Sequence, residues 1–246
     1  MATFWPTNRF KRVDLPTLGR PTKAMKPERN PEAGSEAIGT EGSERGGRRE
    51  LWSILQMWQD EAAFGDNGHL SKKRSMEQQP TFPEAMSLCA KRIALWDAGE
   101  LSDEVLADEV GHLVRHRDGA RGFFVVSLTA ESPLMDRLPE SLVMQLRQAG
   151  EVVVDLTVRN LAMSSAMVVH HLRQQDETML EGSQRVRSRS RELLAQLDPH
   201  LVKEKLESLI DGLSGQGEEK DFFDRWQYDQ EQRQAIRQAL MDVGTA

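Results

Sequence analysis

The stretch Glu151-Val-Val-Val-Asp-Leu-Thr-Val-Arg-Asn-Leu-Ala-Met-Ser-Ser-Ala-Met-Val-Val-His-His-Leu-Arg-Gln-Gln175 is the least polar in the 246-residue chain, and its reading decides the fold. Val152, Val153, Val154, Leu156, Val158, Leu161, Met163, Met167, Val168, Val169 and Leu172 fall around nearly the whole circumference of a helix. A helix that is apolar on all sides belongs at the centre of a bundle.

Outward from this stretch the apolar spacing stays mostly helical. Downstream it predicts three amphipathic helices, at about 180–197, 199–213 and 219–242. Pro199 suits a first helical position after Asp198, and Gly212, Gly215 and Gly217 read as a hinge before the last helix. Upstream, Pro139 at the first position and Gly150 just past the end bracket a helix carrying Leu142, Val143 and Leu146. Ser102 is a good N-cap, with Asp103 and Glu104 in the first turn that follows. That helix presents Val105, Leu106, Val110, Leu113 and Val114 on one stripe and should stop at the turn signal Arg117-Asp118-Gly119. Pro83 with Glu84 opens a first helix ending near Trp96, with Leu88, Ile93, Leu95 and Trp96 on its buried side. Gly122–Thr129 reads either way: β-branched and aromatic residues favour a strand, but only Val152–Val154 offers a partner, so the reading leans to helix. The expected fold is all-α, a compact bundle of about seven helices around the central apolar helix 151–175.

Composition divides the chain near Met86. Residues 1–85 hold 7 of the 10 prolines and carry charge +1, from 13 basic and 12 acidic residues. Residues 86–246 carry −8, from 19 basic and 27 acidic residues. Lys26–Glu50 has almost no large apolar side chain, so burial cannot offset chain entropy there. The expected organisation is a disordered or spurious extension over 1–80 and a helical domain over 82–246. One apolar patch (Leu51, Trp52, Ile54, Leu55, Met57, Trp58) interrupts the extension. No apolar run approaches about 18 residues, which excludes a membrane-spanning helix. Met1–Phe10 lacks the apolar region of a signal peptide, and the expected location is cytoplasmic. The lone Cys89 excludes a disulfide framework and any paired-cysteine metal or redox site.

Few residues suggest chemistry. Glu109, His112 and His116 would share one helical face, and a second such set would make a di-iron bundle. His170 and His171 on the central helix have no glutamate three residues before them, so no metal site, cofactor or catalytic residue is assigned. Asn160, Ser164 and Ser165 are polar notches in the apolar helix, read first as serines bonding back to the preceding turn and second as the lining of a ligand pocket. Arg185, Arg187, Arg189 and Arg191 split into two columns about 200° apart. They read as a solvated face, with Glu181 and Glu192 near enough to pair, and do not form the basic stripe nucleic acid needs. Phe222, Phe223, Trp226 and Tyr228 cluster at the start of the last predicted helix. They either plug the end of the bundle or anchor a protein partner through Phe222, Phe223 and Trp226. The preferred reading is a non-catalytic protein acting on a protein partner. The alternative is a ligand- or metal-binding bundle, or an enzyme, using the polar notch and the histidines.

The run Asp155-Leu-Thr-Val-Arg-Asn-Leu-Ala-Met-Ser-Ser-Ala-Met167, with Glu181-Gly-Ser after it, resembles a conserved helical protein of cyanobacteria with no assigned activity. The resemblance covers about residues 84–245, implies a bacterial cytosolic setting and carries no functional residue. Residues 1–27 carry a different resemblance. The reverse complement of their codons, shifted by one base, permits Gly-Phe-Ile-Ala-Leu-Val-Gly-Arg-Pro-Asn-Val-Gly-Lys-Ser-Thr from Pro27 back to Val13. An apolar strand running into G-x-x-x-x-G-K-S is a phosphate loop, and the run is similar to the start of an Era-like bacterial GTPase. The segment then reads as antisense to such a gene, with the start of the protein at Met76 or Met86. Mass spectrometry of the native protein is expected to find no peptide from residues 1–60; abundant peptides from that range would refute the antisense reading.

Overall fold

The structure is a computed structural model that describes residues 79–244. The readings made for residues 1–78, including the disordered extension, the 51–58 patch and the antisense segment, lie outside the described residues. Among the described residues there are nine α-helices and no strand. They are α1 (Phe82–Asp97), α2 (Asp103–Val114), α3 (Arg117–Thr129), α4 (Glu140–Gln148), α5 (Glu151–Gln174), α6 (Glu177–Leu194), α7 (Pro199–Leu213), α8 (Lys220–Trp226) and α9 (Gln230–Gly244). A single 3-10 turn, Pro133–Met135, lies between α3 and α4.

Local chemistry accounts for most boundaries. The Thr81 N–H donates to the Glu84 carboxylate at 2.8 Å, half of a capping box that starts α1. Ser102 caps α2, Asp176 caps α6 and Asp198 caps α7, each accepting from a backbone N–H of the first turn. Pro139 is itself the N-cap of α4, and Glu140 is its first residue. Gly150, at φ 61°, ends α4 and leads straight into α5.

Two differences from the sequence reading have clear causes, and one open reading is decided by packing. Arg117-Asp118-Gly119 does not end a helix in a loop; it begins α3. The missing side chain of Gly119 allows this, since a Cβ there would lie 2.0 Å from the Leu113 carbonyl oxygen. Gly122–Thr129 is helical because Phe123 and Phe124 are fully buried and Gly122 lets α1 approach, with a Cβ only 2.6 Å from that of Ala85. Packing overrides the strand propensity of those residues. The single helix expected over 219–242 is two helices. Gln227 takes a left-handed conformation (φ 48°), and Asp229 then caps α9 by accepting from the Gln232 N–H at 3.0 Å. The helix over Arg117–Thr129 and the division of the last expected helix take the count from about seven to nine among the described residues.

Helix α5 lies at the centre and packs against α3, α6, α7 and α9, while α1 pairs with α3 and α2 with α4. Contrary to the sequence reading, α5 is long and apolar enough to cross a membrane, with an 18-residue stretch of mean hydropathy 1.5; but 78% of that stretch is buried inside the protein.

The arginine run is also not wholly a solvated face. Arg189 is 3% exposed. It donates to the carbonyls of Ser127 (3.1 Å), Leu128 (3.1 Å), Ala130 (2.7 Å) and Ser132 (2.9 Å), and twice to the Asp136 carboxylate (2.8 and 2.7 Å). The first three carbonyls belong to the end of α3, which a helix leaves without internal donors. One planar guanidinium therefore caps α3 and fixes the turn that follows. Its hydrogen bond and charge hold the Asp136 carboxyl below the usual range despite an opposing contribution from burial. Arg185 pairs with Glu131 at 2.8 Å, so these partners lie across the fold and not at Glu181 or Glu192. Arg189→Ala is expected to lose about 3 kcal/mol of stability in urea unfolding. Arg191→Ala, at an exposed position, should lose less than about 0.5 kcal/mol.

Candidate functional site

The two serines of the polar notch on α5 resolve as backbone chemistry, whereas the buried Asn160 amide nitrogen makes no hydrogen bond among the described residues. Ser164 donates to the Asn160 carbonyl at 2.6 Å and Ser165 to the Leu161 carbonyl at 2.7 Å, each one turn back along the helix. All three side chains are buried.

A different set of polar groups forms a site, one turn earlier on the same helix. Asp155 and Arg159 stand four residues apart on α5 and pair at 2.9 Å. Lys205 of α7 reaches Asp155 at 2.5 Å, and its ammonium also pairs with Glu219. Glu219 immediately precedes α8, and its carboxylate accepts from Arg159 at 2.7 and 3.0 Å. Two cations thus alternate with two carboxylates in a closed four-membered network. Their side chains are 10–20% exposed. Burial pushes the Asp155 carboxyl up, but the charges of Arg159 and Lys205 outweigh it and hold the group below the usual range.

Glu219 reaches the network because Gly212 makes room. Gly212 lies inside α7, not in a hinge, and a Cβ there would sit 2.6 Å from the Glu219 Cβ. Only Gly215 and Gly217, at φ 82° and 71°, shape the turn between α7 and α8. The Arg159 guanidinium also lies 4.7 Å from the Phe222 ring centroid, a cation–π contact that ties the network to α8.

The network forms part of the wall of a cleft of about 410 Å3 between the starts of α3 and α5 and the side of α7. Arg117, Val154, Asp155, Arg159, Leu201 and Lys205 line it, with Glu151, Glu204 and Ser208. Polar groups of both signs face one open space there, which suits a small charged ligand more than an apolar one.

The other candidates fall elsewhere. Because α2 ends at Val114, His116 leaves the face it was expected to share with Glu109 and His112, and becomes the N-cap of α3. Glu109 pairs with Arg92 at 2.6 Å, and His112 is exposed beside Asp108. Among the described residues, no three of His, Cys, Asp and Glu gather as a metal site requires. Burial pushes the Cys89 thiol up to about 12, which leaves it protonated and unreactive. Phe222 and Phe223 pack edge to face at 4.9 Å inside the core, Tyr228 is buried, and only Trp226 reaches the surface in part. The bend at Gln227 turns α8 back onto the bundle, so the exposed patch that docking through Phe222, Phe223 and Trp226 would use is absent from this conformation.

Sequence reasoning missed Asp155, Arg159, Lys205 and Glu219. The signal available was the pair Asp155 and Arg159, two charges at helical i, i+4 spacing inside a helix that is otherwise apolar all round.

Fold and site together define an all-α protein with a charged cleft at its central helix. The chain belongs to the family described as Uncharacterised conserved protein UCP020893, which matches residues 81–243. No curated protein matches the chain, and no solved structure does.

His171 supplies a pH dependence. Burial lowers its pKa from 6.5, the neighbouring His170 adds to that, and Asp176 opposes it. A depressed pKa means the unfolded chain binds the proton more readily. The stability that the neutral ring contributes is complete above about pH 6.5 and is lost as pH falls through the folded value. The urea midpoint is expected to fall between about pH 7.5 and 5.5, and His171→Gln should flatten that fall. The lowered pKa of Asp155 has the same sign but acts only in the acid carboxylate range, below about pH 4.

Proposed function

We propose that this is a non-catalytic binding protein of the cytoplasm whose ligand is a small charged molecule held in the cleft between α5 and α7. The observation that carries this reading is the network of Asp155, Arg159, Lys205 and Glu219 beside an open space of about 410 Å3. Burying four charges is a poor route to stability, because desolvation offsets most of the attraction between them. Apolar residues of similar volume would serve a purely structural end as well. Charges set in the wall of a cleft are instead ready to orient a polar ligand.

A second reading keeps the protein partner. Trp226 is partly exposed, and its buried indole nitrogen makes no hydrogen bond. A partner packing on the exposed part of the ring would use Trp226 as the anchor, with Phe222 and Phe223 in the core beside it.

A thermal-shift survey of the purified full chain against polar metabolites separates the two. The cleft reading expects at least one compound to raise Tm in the wild type and to lose that effect in Ser208→Trp, which fills the lining. Hits that survive Ser208→Trp would move the site elsewhere. A native pull-down lost in Trp226→Ala, with no compound stabilising either protein, would favour the partner reading.

A further inference from the structure

We propose that Glu219 is a built-in occupant of an anion site, and that the ligand displacing it is a phosphate-bearing small molecule. The inference rests on the cleft being a binding site and goes on to name the chemistry it takes.

The two carboxylates in the network are not equivalent. Asp155 is held on the same helix as Arg159, one turn away, and cannot leave without unwinding α5. Glu219 arrives from the turn after α7, where residues 214–218 are exposed and Gly215 and Gly217 supply left-handed backbone. It is therefore the replaceable anion. Its carboxylate takes two N–H bonds from one guanidinium nitrogen and a contact from Lys205. Those same donors suit a phosphate, for which a guanidinium and a lysine ammonium are common partners.

Charge selects phosphate over a second carboxylate. Within the network, two cations balance two carboxylates. A ligand with a single negative charge would only exchange with Glu219, which has the advantage of being tethered. A phosphate monoester carries about −1.5 to −2 near neutral pH, so it gains more from Arg159 and Lys205 than the carboxylate it replaces. Displacement has a consequence at α8, because Glu219 immediately precedes it and Arg159 also contacts Phe222. Removing that tie should loosen the segment carrying Phe222, Phe223 and Trp226.

The test is titration calorimetry of the full chain with inorganic phosphate at constant ionic strength. Glu219→Gln weakens the internal competitor and should bind phosphate at least about tenfold more tightly than wild type. Gly212→Ala crowds Glu219 without altering any charge and should shift affinity in the same direction. Adding Lys205→Ala to Glu219→Gln should abolish the gain. Hydrogen exchange on the wild type needs no variant to fold, and phosphate should speed exchange at the amides of Phe222–Trp226. Equal phosphate affinity in wild type and Glu219→Gln overturns the proposal, as does a gain that survives Lys205→Ala. Unchanged exchange at α8 under saturating phosphate overturns it too. If these fail while a metabolite still binds in a manner blocked by Ser208→Trp, the cleft remains a binding site and only the phosphate assignment falls.

Discussion

Burying the long middle of the central helix, from Val153 to Val168, on nearly every side is the constraint from which the rest of this protein follows. Along that stretch α5 has little solvent face outside the cleft, so neighbours are required nearly all round it. Helices α3, α6, α7 and α9 supply them. Each of those in turn needs a connection short enough to bring it back. The tight junctions at Gly119 and Gly150, and the bend at Gln227, are the local answers. A central helix of this kind also makes any charge on it costly, which is why Asp155 and Arg159 draw Lys205 and Glu219 to them from two other segments.

Two arginines show how differently buried charge can be used. Arg189 spends its donors on carbonyls that end a helix and on one carboxylate, so its role is to hold α3 and the following turn. Arg159 donates to the carboxylates of Asp155 and Glu219 and sits at the wall of an open cleft. The first arrangement satisfies backbone groups that water cannot reach. The second leaves donors facing a partner that a ligand could replace. Chemistry at the two sites is similar, and access to the cleft is what separates them.

Much of the fold was legible from residues that act locally. Ser102, Asp198 and Pro199 mark helix starts because their effects depend on the next turn alone. The apolar circumference of Val152–Leu172 announced a central helix for the same reason. Gly122–Thr129 was harder, since its β-branched and aromatic residues suit either state and only the approach of Ala85 decides between them. The candidate site was scarcely legible. Lys205 and Glu219 are ordinary surface residues in their own helical contexts, and Glu219 lies 60 positions from Arg159. The aromatic cluster could be read from the sequence as core or as anchor; in the fold Phe222, Phe223 and Tyr228 are buried, and the left-handed Gln227 separates α8 from α9.

By itself, the sequence pointed to an all-α domain over 82–246 with Gly122–Thr129 left open, to roughly where most helices begin, and to which one lies at the centre. These are consequences of periodicity and capping, which act within one or two turns. Only the tertiary structure decided that Arg189 is a buried cap, that Phe222 and Phe223 face inward, and that Asp155, Arg159, Lys205 and Glu219 meet beside a cleft. The reason is physical: the pairing of charges and the burial of a face depend on which segments the packed chain brings together, and residue spacing along the chain does not encode that distance.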